Sequence, residues 1–93
     1  MDSFARIATP NGSKYLQQLC KHWSRKFEAE FDALAGRIAF PTSAIHFAAT
    51  PETLMMTLAG PDGATLDRME RVVAGHLARF AFREELAVTW TRT

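Results

Sequence analysis

The segment from Ser13 to Phe27 constrains the fold more than any other part of the sequence, because it has the pattern of a one-sided helix. At about 100° per residue, its apolar and aromatic side chains share one face: Tyr15, Leu16, Leu19, Cys20, Trp23 and Phe27. The opposite face carries the cations Lys14, Lys21 and Arg25. Ser13 follows a Pro-Asn-Gly turn and is predicted to be the helix N-cap. Such a helix must pack its apolar side on a second layer.

Short segments of alternating apolar and polar residues surround this helix and predict strands. They are Phe4 to Thr9, Phe27 to Phe31, Arg37 to Phe40, Ile45 to Ala48, Thr53 to Leu58 and Leu86 to Thr91. The four strands between Phe27 and Leu58 follow one another closely, with Pro41 and Pro51 at turns. This spacing predicts an antiparallel meander.

A second helix is predicted after Asp62, which is placed to cap it. Its buried face is expected to contain Leu66, Met69, Val73, His76, Leu77 and Phe80, with Val72 at the margin. The element order is then β-α-β-β-β-β-α-β within one domain over residues 1–93. Two one-sided helices need one sheet face to cover, so we predict an α+β two-layer sandwich with a mainly antiparallel sheet.

The sheet face turned away from the helices is predicted to be weakly polar. It would carry Arg37, Ala39, His46, Ala48, Thr53, Met55, Thr57, Ala87 and Thr89. Two interpretations stay open. In the first, the face has a function, either as an interface between two copies of the chain or as the floor of a ligand site. In the second, it is simply left in solvent.

Composition sets the expected location. Cys20 is the single cysteine, so no intramolecular disulfide can form, which fits a reducing cytoplasm. The first residues lack the pattern of a signal peptide, and no apolar run approaches the roughly 20 residues that span a bilayer. The net charge of +1 argues neither for nor against a polyanionic partner. We therefore expect a cytoplasmic protein that binds neither membrane nor nucleic acid.

No catalytic motif is present, and no cofactor is predicted. Cys20 and His22 are two residues apart and point to opposite sides of a helix, so they predict no metal site. His76 is interpreted as a core histidine, or as a neutral imidazole lining a cavity. The candidate ligand-binding residues are Lys21, His22, Arg25, His46 and His76.

Two further features of the sequence are interpreted as solvent-exposed surface. The basic stripe on the first helix is read as a solvated face rather than a nucleic-acid interface, because Trp23 faces the core and cannot stack on bases. The pair Glu84-Glu85 is interpreted as an exposed turn.

Three segments, YLQQLCKHW from Tyr15, GRIAFP from Gly36 and HLARFAFRE from His76, resemble the bacterial domain-of-unknown-function family numbered 2218. The resemblance implies a short α/β protein without an established activity. It also implies an association with flavin-dependent siderophore-interacting reductases, which would make the domain an accessory in ferric-siderophore handling. No site residue is carried over from the family.

Three hypotheses follow from the sequence. The first is a binding or accessory module, with a siderophore-interacting reductase as partner. The second is a small enzyme that uses His76 or His22 with a carboxylate. The third is a structural homodimer formed through the open sheet face.

Overall fold

Two helices cover one face of a six-stranded sheet in the computed structural model, which describes all residues from Met1 to Thr93. The elements in chain order are β1 (Asp2–Ala8), α1 (Gly12–Trp23), β2 (Glu28–Phe31), β3 (Ala35–Ala39), β4 (Ala44–Ala49), β5 (Thr53–Ala59), α2 (Gly63–Phe80) and β6 (Thr91–Arg92). The strand order across the sheet is β2-β3-β4-β5-β1-β6, and every neighbouring pair is antiparallel. The predicted α+β fold and the predicted order of elements are confirmed.

The core lies between the helices and the sheet. Alternate residues of β1, β4 and β5 are buried, as the period-2 pattern requires, while those between them face the other side. Leu16, Leu19 and Cys20 of α1 lose all contact with solvent against this surface. The predicted apolar face of the first helix is therefore a packing surface.

The first helix differs from its predicted bounds at both ends. It begins at Gly12, because the Asn11 carbonyl already accepts from the Tyr15 N–H at 3.0 Å. Ser13 is thus inside the helix and accepts from Gln17 rather than capping. The helix ends at Trp23, where the Ser24 hydroxyl donates to the Lys21 carbonyl at 2.7 Å. Phe27 still packs against the core, from the turn that leads into β2.

The last predicted strand is mostly absent. Leu86, Val88 and Trp90 are half-buried and alternate with exposed Ala87 and Thr89, but backbone pairing with β1 occurs only at Thr91 and Arg92. Alternation records which side chains are buried, and it does not require a hydrogen-bonded ladder. Packing of the larger side chains on the core is sufficient to give the pattern.

Ion pairs connect β6 to α2. The Arg92 guanidinium donates to Asp67 and to both carboxylate oxygens of Glu70, at 3.1 Å for each Glu70 contact. The buried Ser3 hydroxyl donates to the same Glu70 at 2.5 Å. These bonds hold β6 beside β1 although the strand is only two residues long.

The open sheet face has a different membership from the predicted one. The predicted members from Arg37 to Thr57 lie on β3, β4 and β5 as expected, whereas Ala87 and Thr89 lie outside the sheet. β1 contributes Phe4 and Arg6, which stand opposite Thr57 and Met55 of β5. Phe4 is 39% exposed, so this face carries a large apolar side chain in contact with solvent.

Candidate ligand-binding site

The two helices lie side by side and run in opposite directions. Glu84, just beyond the end of α2, accepts a hydrogen bond from Tyr15 near the start of α1, while the His76 ring contacts Trp23 at the end of α1. The outer surface between the helices therefore joins residues from both of the apolar patterns found in the sequence.

An unbroken series of six rings crosses this surface, and we call it the aromatic row. Neighbouring ring centroids are 6.0, 5.4, 4.8, 5.3 and 5.0 Å apart along Phe80, His22, His76, Trp23, Phe40 and Phe27. Distances in this range are those of interacting aromatic pairs. The row thereby brings together rings from α1, α2 and the end of β3.

His76 lies at the margin of the core rather than within it. The residue is half-buried, and its Nδ1 is 2.8 Å from the Val72 carbonyl oxygen. A carbonyl only accepts, so Nδ1 is the nitrogen that donates in this contact. The enzyme hypothesis requires a histidine paired with a carboxylate. Neither His76 nor His22 forms a hydrogen bond or ion pair with a carboxylate.

A hollow of about 320 Å³ opens at the Phe80 end of the aromatic row, and we call it the cationic hollow. It is lined by Gln18, Lys21, His22, Arg25 and Phe80. Lys21 and Arg25 are exposed and form no ion pair. The Gln18 Oε1 atom is buried without a hydrogen-bond partner. The hollow thus combines two unpaired cations with two rings.

The structure brings together four of the five candidate residues predicted from the sequence. Lys21, His22 and Arg25 line one hollow, and His76 touches His22 in the aromatic row. His46 is elsewhere: it is exposed on β4, opposite Arg37 of β3, on the sheet face that the helices do not cover. The alternation of side chains along β4, which buries Ile45 and Phe47, turns it away from the other four.

Cys20 is part of the core and takes no part in the hollow. Burial raises the pKa of its thiol to about 11, so the reactive thiolate is scarce near neutral pH. A Cβ placed on Gly36 of β3 would lie 2.8 Å from the Cys20 Sγ, which shows how closely the helix approaches the sheet there. No group of three or more His, Cys, Asp or Glu side chains is arranged to hold a metal ion.

Glu84 lies in the turn that follows α2, as predicted, but it is only partly exposed and its carboxylate has a structural role that was not predicted. Its carboxylate accepts hydrogen bonds from Tyr15, from Thr9 at 2.9 Å and from Asn11 at 2.9 Å. The hydrogen bond from Tyr15, followed by that from Asn11, lowers the pKa of Glu84. The sequence held one signal for this role: Tyr15 is on the buried face of the first helix, and a buried tyrosine needs a hydrogen-bond partner for its hydroxyl.

The family model described as an uncharacterised protein conserved in bacteria, domain of unknown function 2218, matches residues 4–91. The chain belongs to this family. An NMR structure of a protein from Pseudomonas aeruginosa is 38% identical in sequence and superimposes with a TM-score of 0.81. The match covers 97% of this chain and 94% of that one. The family resemblance expected from the three sequence segments is therefore confirmed.

Two further findings concern characterised relatives and membrane-spanning helices. None of the curated proteins matches the chain, so no activity comes from a characterised relative. Neither helix has the length and apolar character needed to cross a membrane.

Proposed function

We propose that this family member is a small binding or accessory domain whose ligand is an anionic chelate carrying aromatic rings, bound in the cationic hollow. The observation that carries the proposal is the placement of unpaired Lys21 and Arg25 beside the rings of His22 and Phe80. Cations without protein partners offer an anion favourable contacts at no cost in broken ion pairs. The adjacent rings offer a flat ligand a surface for stacking.

Ferric complexes of catecholate siderophores have both of these properties, since they are negatively charged and carry aromatic arms. The association with siderophore-interacting reductases that the family resemblance implies supports the same ligand class. In this proposal the domain acts in the cytoplasm, holding a ferric siderophore for a flavin-dependent reductase partner. Its site residues are Lys21, His22 and Arg25, with Gln18 as a hydrogen-bonding residue and His76 in support of the His22 ring.

Titration with the ferric complex of a catecholate siderophore tests this proposal through the visible absorption band and the tryptophan fluorescence. We expect saturable binding at micromolar concentrations, and a ferric trihydroxamate, which lacks aromatic arms and net negative charge, should bind much more weakly. Lys21→Gln should weaken binding about tenfold, the loss expected for one hydrogen bond to a charged group. His22→Ala should weaken it about threefold to tenfold, the loss expected for one stacked ring.

Lys14→Gln is the matched control, because Lys14 lies on the same face of α1 but does not line the cationic hollow. It should leave the affinity within about twofold of the native value, since a distant exposed charge is largely screened. Absence of any spectral change would contradict the proposal, and so would an equal loss of affinity in the Lys14 and Lys21 variants.

A second candidate is a structural homodimer joined through the open sheet face. It is favoured by Phe4, which is exposed between Thr57 of β5 and Thr91 of β6. The weakly polar Ala, Thr and Met side chains of this face, together with the ring, support a surface that is covered in an assembly. This role is compatible with ligand binding on the helix side, because the sheet separates the two surfaces.

A further inference from the structure

A second groove, of about 340 Å³, opens at the end of the aromatic row opposite to the cationic hollow. Its apolar walls come from Trp23, Phe27, Phe40, Met69 and Val72. None of the residues that line the cationic hollow contributes to it. Its size is within the range of small-molecule sites, and its lining is mainly apolar with a few polar groups, as in such sites.

The aromatic walls of this groove are held in place by contacts within the protein. The Phe40 ring stands nearly perpendicular to Trp23, at 89°, and meets Phe27 at 74°. The turn beside them is closed by a 2.8 Å hydrogen bond from the Phe40 N–H to the Ser43 carbonyl, with Pro41 between. A flat ligand would therefore enter a formed groove and would not have to order its walls.

Two polar groups of the groove lack partners. The Ser43 hydroxyl is buried and makes no hydrogen bond, although buried polar groups nearly always have one. Arg68, on α2, is exposed and forms no ion pair. The Asp62 carboxylate is engaged as the α2 cap, accepting from the Thr65 N–H at 2.8 Å; this hydrogen bond lowers the pKa of Asp62, and the Arg68 charge adds to the effect.

We infer that this groove is a binding site for a small flat aromatic carboxylate. The ring lies against Trp23 and Phe40, the carboxylate pairs with Arg68, and the Ser43 hydroxyl supplies a hydrogen bond to an oxygen of the ligand. An aliphatic ligand would not use the perpendicular aromatic walls, and a neutral ligand would leave Arg68 unpaired. The site is independent of the proposed siderophore function, because it uses different charged residues.

Two-dimensional NMR of the native chain with 2-naphthoate tests the inference. We expect saturable shifts of the backbone amides of residues 40, 43 and 69, with little change at residues 18 to 22. Cyclohexanecarboxylate, which is charged but not aromatic, and 2-naphthamide, which is flat but uncharged, should each bind at least tenfold more weakly. Equal binding of all three compounds, or no saturable shift, would overturn the inference.

Substitutions assign the polar contacts. Arg68→Gln should weaken 2-naphthoate binding about tenfold, whereas Arg71→Gln, on the same helix but outside the groove, should leave it unchanged. Ser43→Ala should weaken binding about threefold to tenfold without lowering the stability of the free protein, because its hydroxyl has no partner to lose. Equal effects of the two arginine variants, or unchanged affinity in Ser43→Ala, would overturn the assignment.

Discussion

The Glu84 carboxylate accepts hydrogen bonds from side chains that lie 69 to 75 positions earlier in the chain. It joins the segment after α2 to the end of β1 and the start of α1. Burial, and then the hydrogen bond to Glu84, raise the pKa of Tyr15, while that same bond lowers the pKa of Glu84. The pair is therefore strongest with Tyr15 protonated and Glu84 ionised.

Tyr15→Phe and Glu84→Gln are expected to lower the melting temperature at neutral pH by several degrees, because each removes the charged hydrogen bond. The Glu84 contribution is present above its ordinary pKa of 4.5 and is lost as the pH falls through the lowered folded value. The Tyr15 contribution is present below 10.0 and is lost as the pH rises through its raised folded value. The difference from the native protein should therefore shrink at both extremes.

Thermal unfolding followed by circular dichroism across this pH range checks the prediction. Glu85→Gln is the control, because Glu85 is the exposed neighbour and makes no side-chain hydrogen bond. A destabilisation that is the same at every pH, or equal in the Glu84 and Glu85 variants, would be inconsistent with the pair.

At the level of elements, the packing of α1 on the sheet depends on the close approach of Cys20 to Gly36. A Cβ on Gly36 would lie 2.8 Å from the sulfur and 3.2 Å from the Phe31 Cβ. Neither atom can move freely, because Cys20 is completely buried and Phe31 belongs to the neighbouring strand. The position thus sets the distance between the helix and the sheet.

Gly36→Ala should destabilise the protein by about 1–3 kcal/mol through overpacking. The same substitution should cost less than half as much in a Cys20→Ala background, because the sulfur that it meets is gone. Gly12→Ala is the control, since its Cβ would lie 2.7 Å from the Thr53 carbonyl oxygen, a backbone atom that Cys20→Ala does not remove; its cost should be the same in both backgrounds.

Urea unfolding of the native chain, the two single variants Gly36→Ala and Cys20→Ala, and the double variant gives the coupling free energy. An additive result would refute the contact.

At the level of the whole molecule, the sheet separates two surfaces with different chemistry. The helix side carries the cationic hollow and the aromatic row, and the open side carries Phe4 and His46. If the open side is the interface of a homodimer, both helix layers face outward and remain accessible to ligands.

Sedimentation velocity at micromolar concentrations tests the homodimer. We expect the native chain to sediment as a dimer and Phe4→Glu to sediment as a monomer, because a charge that replaces an apolar ring within an interface is left unpaired. Phe82→Glu makes the same chemical change at a residue that is 75% exposed and lies beyond the end of α2, so it should stay dimeric. A monomeric native chain would exclude this role.

Much of the fold follows from local patterns. The period of the apolar residues around Leu19 and Val73 identifies two helices, and the alternation around Ile45 and Met56 identifies strands, because each pattern reports burial within a single element. The element order and the two-layer arrangement follow in turn. The ends of α1 and the length of β6 do not, since individual hydrogen bonds determine them.

The sequence by itself determined that the first helix has an apolar core face and leaves Lys21, His22 and Arg25 in solvent. Only the tertiary structure decided which residues of other elements contact these three. The antiparallel packing of the helices brings His76 and Phe80 to His22. The position of His46 on the opposite face, by contrast, follows from the alternation of β4, as predicted from the sequence. Contacts such as those of His22 depend on how separate elements pack, and the periodicity of one element contains no information about its distant neighbours.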